Sequence, residues 1–265
     1  MKQFFVYRFR AQALLLCLFC VLTAMFVMMS SLAFALPAMG RTEGLETFRQ
    51  RYPAFAEALR MRLSLTGEDH LLSMLYGLAL PIVLLFYAFH AVNILQAKPM
   101  KTGEAYWFVY ARSGAKRTPF IHFCVITAGL LIQGLFVPLF ALLPMLWQPG
   151  WRVDVLQLVL VAVGSGLFFT LPAGVFLLFS AGCGKEGLSR WPLVAALVLG
   201  CVRLLANVRS LPNIPAFLTP FSLYDPWGLA RGQATAWMMV GIACAVGILC
   251  ALAASWRFAQ REMNL

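Results

Sequence analysis

Five runs of residues free of Asp, Glu, Lys and Arg constrain this chain more than any other feature; they lie at 11–36, 71–95, 119–146, 155–180 and 234–256. About 20 residues at a rise of 1.5 Å cross the hydrocarbon core of a bilayer, and each run is long enough to do so. In lipid every backbone N–H and C=O needs a partner within the protein, so such runs are helices or strands of a closed barrel. None alternates with a period of two, which excludes barrel strands. A sixth run, 192–208, is shorter and carries Arg203, whose charge must tilt the helix little or snorkel to an interface. Composition agrees, with 62% hydrophobic and 12% charged residues, against roughly 45–50% and 25% in soluble domains. A soluble enzyme, a disordered chain and a secreted disulfide scaffold are thereby excluded. The expected fold is an all-α polytopic membrane protein, one transmembrane domain over 1–265 with six transmembrane helices.

The first run needs separating from a signal peptide. Lys2, Arg8 and Arg10 precede it, and Ala33-Phe34-Ala35 has the small residues of a cleavage site. The apolar stretch exceeds the roughly 7–15 residues of a signal core, so it reads as an uncleaved span. Loop charges then set the orientation. One side collects Lys2, Arg8, Arg10, Lys98, Lys101, Arg112, Lys116, Arg117, Lys185, Arg190, Arg257 and Arg261, with few acids. On the other side the arginines of the long first loop are matched by Glu43, Glu46, Glu57, Glu68 and Asp69. The net charge of +11 is concentrated on one face, which places both termini in the cytoplasm beside anionic headgroups. No basic domain exists outside the spans, so nucleic acid is not an expected partner.

The loops carry four further expectations. Residues 1–10 mix Phe4, Phe5, Tyr7 and Phe9 with cations, which suits an N-terminal interfacial helix as well as a simple positive flank. The external loop 37–70 spaces Leu45, Phe48, Tyr52, Phe55, Leu59 and Leu63 as one apolar helical face, expected to lie on the membrane or cap the bundle. In the cytoplasmic loop 96–118, Gly103, Glu104, Tyr106 and Trp107 lead to Arg112, Lys116 and Arg117. Such a short aromatic helix with a basic end fits either a groove on a partner or the headgroup region. The external connection 209–233 is apolar yet interrupted by Pro212, Pro215, Pro220 and Pro226. It reads equally as a re-entrant pair of short helices or as a loop on the outer surface, because irregular backbone reaches membrane depth only where protein or a cavity shelters it.

Catalytic chemistry is not advertised. The seven cysteines lie mostly within spans and read as free thiols, Cys17 and Cys20 included. His70, His90 and His122 are isolated, and Gly182-Cys183-Gly184-Lys185 lacks the remaining residues of a phosphate loop. No metal, cofactor or ATPase site is therefore expected in this chain, and it is not read as an enzyme. Every acid falls in a loop or at a span end, including Asp154, which disfavours a carrier coupled to protons or sodium. Gln133, Gln157, His90 and Asn93 are enough for hydrogen bonds between helices, and the glycines of the fourth and sixth spans permit close packing. Pro81, Pro138, Pro144 and Pro172 mark expected kinks.

Taken together, these segments resemble the membrane subunit of an ATP-binding-cassette transporter of the type-2 exporter class. The resemblance runs over the whole chain: a basic start, one span, a long external loop, and a second span ending Ala91-Val92-Asn93-Ile94-Leu95. A glycine-containing cytoplasmic segment, three more spans and Ser222-Leu223-Tyr224-Asp225-Pro226 before the last helix complete it. It implies that 96–118 couples to the ATPase, with Gly103, Glu104, Tyr106, Trp107, Arg112, Lys116 and Arg117 as contact residues. It also implies that 209–233 is re-entrant and forms an external gate with Pro212, Pro215, Phe217, Pro220 and Phe221. The implied partners are ATP-binding-cassette ATPase subunits, which hold ATP and Mg, and a second permease subunit of the same or a related chain. A bacterial cell membrane and an exported amphipathic or hydrophobic cargo (peptide, lipid or drug) follow from the same resemblance. The alternative is a non-transporting immunity or signalling subunit that binds a cytoplasmic partner.

Overall fold

The computed structural model describes residues 2–38, 50–58, 75–102, 117–143, 154–183, 190–206, 208 and 219–262. Nearly all are helical, with no strand among the described residues. Five helical stretches are long and apolar enough to cross a membrane: Phe5–Met28, Tyr76–Thr102, Thr118–Phe140, Val155–Gly182 and Ala234–Gln260.

The first, α1 (Lys2–Ala38), is one unbroken helix of 37 residues, about 55 Å long at 1.5 Å per residue. No glycine or proline occurs before Pro37 to interrupt it. Residues 2–10 continue into it without a break. Arg8 is buried beside His122, and Phe5 and Phe9 pack on the core, so these residues are the first turns of the span itself. Of the loop 37–70, residues 37–38, which end α1, and 50–58 are described. Pro53 opens the short helix α2 (Pro53–Ala58), while the remainder of the expected amphipathic face lies outside the described residues.

The second span consists of α3 (Leu80–Val92) between two π-helical turns, Leu75–Ala79 and Asn93–Ala97, followed by α4 (Lys98–Thr102). Each π-turn precedes a proline. Pro81 and Pro99 cannot donate to the carbonyls of Gly77 and Leu95, and a widened turn keeps the proline ring off those oxygens. The third span is α5 (Thr118–Ala141), which continues through Pro138. The fourth is broken into α6 (Val155–Phe168) and α7 (Thr170–Cys183). Asp154 caps its start by accepting from the backbone N–H of Leu156 at 2.9 Å and of Gln157 at 3.4 Å. The break follows from Pro172, which removes the bond to the Phe168 carbonyl; Thr170 Oγ1 donates to Leu167 O at 2.6 Å and satisfies its neighbour. Pro144 lies outside the described residues.

The expected fifth span, 192–208, is the helix α8 (Trp191–Ala206) of 16 residues. It reaches about 24 Å, short of a hydrocarbon core about 30 Å thick. After a 3-10 turn at Pro220–Leu223 and the short α9 (Pro226–Ala230), the last span α10 (Ala234–Glu262) completes the bundle.

Buried polar side chains fix the relative directions of these helices. Gln12 donates to Val125 O at 2.9 Å and Gln133 to Thr23 Oγ1 at 3.2 Å, so α1 and α5 run in parallel. Tyr76 donates to Leu158 O and Gln96 to Leu177 O, both at 3.3 Å, so the second and fourth spans run together. Of the other polar groups expected between helices, His90 is exposed and bonds Phe86 O of its own helix, and Asn93 is exposed. α7 and α10 meet backbone to backbone, where a Cβ on Gly174 would lie 2.3 Å from Gly247 O. Packing of this kind, not water exclusion, holds helices together in lipid. Outward-facing apolar side chains such as Leu14 (86% exposed), Leu139 and Leu249 form the complementary lipid-facing surface.

Candidate functional site

Of the connection before α10, residues 219–233 are described, and none of 219–230 is exposed. Pro220 and Pro226 each open a short helical turn because their missing N–H is an orphan there in any case. Between them Tyr224 and Asp225 are extended, and Tyr224 is buried among α3, α6 and α8. Gly232, at φ +65°, supplies the left-handed residue that turns the chain into α10, and Gln233 N donates to Gly228 O at 2.8 Å. Leu229 of α9 fills the space over Gly164, where a Cβ would meet its Cδ1 at 2.7 Å.

Tyr224 is the centre of this arrangement. Its hydroxyl lies 2.7 Å from Ser165 Oγ and 3.1 Å from Tyr76 O. Ser165 Oγ is also 2.6 Å from Val161 O. Two hydroxyls have two protons for these three contacts, so two arrangements satisfy the chemistry. Ser165 donates to Tyr224 while Tyr224 donates to Tyr76 O, or Ser165 donates to Val161 O while Tyr224 donates to Ser165. Around them the rings of Phe168, Phe169, Phe221 and Tyr224 form one cluster, the closest centroids being 5.1 Å apart for Phe168 and Tyr224. Arg203, in the last turn of α8, donates to Phe221 O and sits 5.9 Å from the Tyr224 ring centroid.

Ser165 lies ten residues beyond Val155, the first residue of its span, or about 15 Å along the helix. Tyr76, the other partner of the Tyr224 hydroxyl, is the first residue of the second span, so the connection is anchored between the start of one span and a point ten residues into another. Beside it is a cavity of about 140 Å³ lined by Gly77, Pro81, Leu85, Leu197, Arg203 and Trp227 among others.

Of the residues expected at an external gate, Pro220 is half-buried and Phe221 buried in this cluster. Pro212, Pro215 and Phe217 lie outside the described residues. So do Gly103, Glu104, Tyr106, Trp107, Arg112 and Lys116 of the expected coupling segment; Arg117 is described, exposed at the start of α5. Sequence reasoning passed over Tyr76 and Ser165. The signal for Ser165 was present, as a lone hydroxyl between Gly164 and Gly166 in an uncharged run. Tyr76 offers none, because what it contributes to Tyr224 is a backbone carbonyl.

Comparison with models of known protein families, with curated proteins and with solved structures yields no match.

Proposed function

We propose that this chain is the transmembrane permease subunit of an ATP-driven ABC transporter of the type-2 exporter class. The observation that carries the reading is the hydrogen bond between Tyr224 and Ser165, which holds the connection before the last helix against α6, about 15 Å along that helix from Val155. A re-entrant connection at that position is what the family resemblance implies. In this reading α8 completes a six-span layout, reaching the interface through the Arg203 end, and both termini are cytoplasmic in a bacterial cell membrane. The basic ends of the helices support that orientation: Lys98, Lys101, Arg117, Arg190 and Arg257 all lie at the end of the bundle away from Asp154.

Two such subunits, with separate ATPases docked against 103–117, would alternate access to a central path. The cargo would be amphipathic or hydrophobic, since the cavity beside Tyr224 carries Arg203 as its charged lining residue within apolar walls. Affinity purification in mild detergent tests the assignment. A stoichiometric soluble ATPase is expected to co-purify and to be lost in a K116E/R117E variant. Recovery of the chain alone, under conditions that keep known membrane complexes intact, would refute it. Vesicle transport that requires ATP then separates a transporter from a non-transporting partner of an ATPase.

A further inference from the structure

α8 packs loosely along one flank of α7, and the two leave an elongated groove of about 540 Å³. Its walls are apolar: Val175, Phe176 and Phe179 on one side, Ala195 and Leu199 on the other. Phe179 and Trp191 mark one end, Leu171 and Phe221 the other. From Trp191 to Leu199 is eight residues, about 12 Å of groove running parallel to the helices. Phe179, Trp191 and Ala195 are exposed, Trp191 to 77%, so the groove opens to the surroundings of the bundle.

The two ends differ in charge. At the Phe179–Trp191 end, Arg190 immediately precedes Trp191 and is exposed. Arg257 of α10 reaches the last turn of α7, where a Cβ on Gly182 would lie 3.6 Å from its Nη1, and it too is exposed. Arg190 thus adjoins the lining residue Trp191, and Arg257 reaches α7 three residues beyond the lining residue Phe179, both at the same mouth of the slot. At membrane interfaces tryptophan occupies the level of the headgroups, and arginines there attract anionic lipid.

We infer that this groove is a binding site for an anionic phospholipid, with one acyl chain lying between α7 and α8 and the phosphate held by Arg190 and Arg257. Arginine suits that headgroup, because its planar fork donates to two phosphate oxygens at once. A free anion finds no partner within the apolar walls, so the site selects charge and chain together. The inference rests on membrane embedding alone and stands whether or not the chain is a transporter.

Native mass spectrometry of the full-length, delipidated chain tests it. Phosphatidylglycerol and phosphatidylcholine with identical dioleoyl chains are titrated separately. One phosphatidylglycerol is expected to be retained at roughly thirtyfold lower concentration than phosphatidylcholine, the difference that two interfacial arginines supply. R190Q/R257Q is expected to erase that difference while leaving weak retention of both lipids. A195W, which fills the groove from an exposed position, is expected to reduce retention of both. If A195W does not keep its far-UV helix signal, A195L gives the same reading with a smaller side chain. Equal retention of the two lipids by the wild type would overturn the assignment of the arginines, as would a preference that survives R190Q/R257Q. Unchanged retention in a folded A195W or A195L would overturn the groove. A lipid-free dimer lost in A195W would instead assign this face to a second copy of the chain and overturn the lipid site.

Discussion

Tyr224 and Ser165 meet hydroxyl to hydroxyl at 2.7 Å across 59 positions of sequence, and that contact ties a proline-interrupted connection to the middle of a transmembrane span. Neither residue is charged and neither stands in a recognisable motif. What makes the pair consequential is where it lies, among rings and apolar walls that offer few alternative partners. Buried groups of this kind hold a unique arrangement because the unpaired state is costly.

Removing the pair should therefore show coupling. Y224F deletes the hydroxyl that reaches both Ser165 and Tyr76 O, and is expected to lower the unfolding free energy in mixed micelles by about 1 kcal/mol. S165A should cost less, since Tyr224 still donates to Tyr76 O. The double variant Y224F/S165A is expected to be less destabilised than the sum of the two, by about 0.6 kcal/mol. Strict additivity would show that the two hydroxyls do not share a proton network.

Helix starts give a simpler case. Asp154 accepts from two backbone N–H groups at the first turn of α6. D154A is expected to cost about 1 kcal/mol and D154N close to nothing, because asparagine offers the same acceptor geometry. The same unfolding measurement checks both, and equal losses would show that the carboxylate charge, not the cap, is what matters.

The spans were legible because lipid imposes one rule, that long uncharged runs satisfy their own backbone. That rule located five helices long and apolar enough to cross a membrane, with ends up to eight residues off, and Pro172 located the break in the fourth. It did not separate α8, whose 16 residues fall between a span and a shorter buried helix. The first ten residues left the choice open because aromatic and basic residues suit an interface and a packed helix equally; only the tertiary neighbour His122 distinguishes them. Gly174 and Gly247 were readable as packing residues, but not as partners of each other, since sequence carries no record of which small faces meet.

Those glycines allow a direct comparison with one that looks alike in sequence. Gly241 and Gly247 both lie in α10, yet a Cβ on Gly241 meets nothing within 4 Å while one on Gly247 would lie 2.7 Å from Thr170 O. G247A and G174A are each expected to push α7 and α10 apart and cost roughly 1–3 kcal/mol. G241A should be neutral or slightly stabilising. Thermal aggregation in detergent, read for all three, checks the order, and a loss in G241A equal to that in G247A would contradict the packing.

The last prediction concerns Arg203, the one charged residue of α8, in its last turn. Its guanidinium satisfies the Phe221 carbonyl and faces the Tyr224 ring, so it ties α8 to the inserted connection by two distinct interactions. R203Q keeps a donor but removes the charge, and is expected to cost roughly 1.5–3 kcal/mol, the range for a hydrogen bond to a charged group. R203K keeps the charge but loses the planar fork and most of the ring contact, and should fall between wild type and R203Q. If R203K matches wild type, charge alone suffices and the ring contact contributes little. If R203K is as poor as R203Q, the shape of the guanidinium holds α8 against the connection.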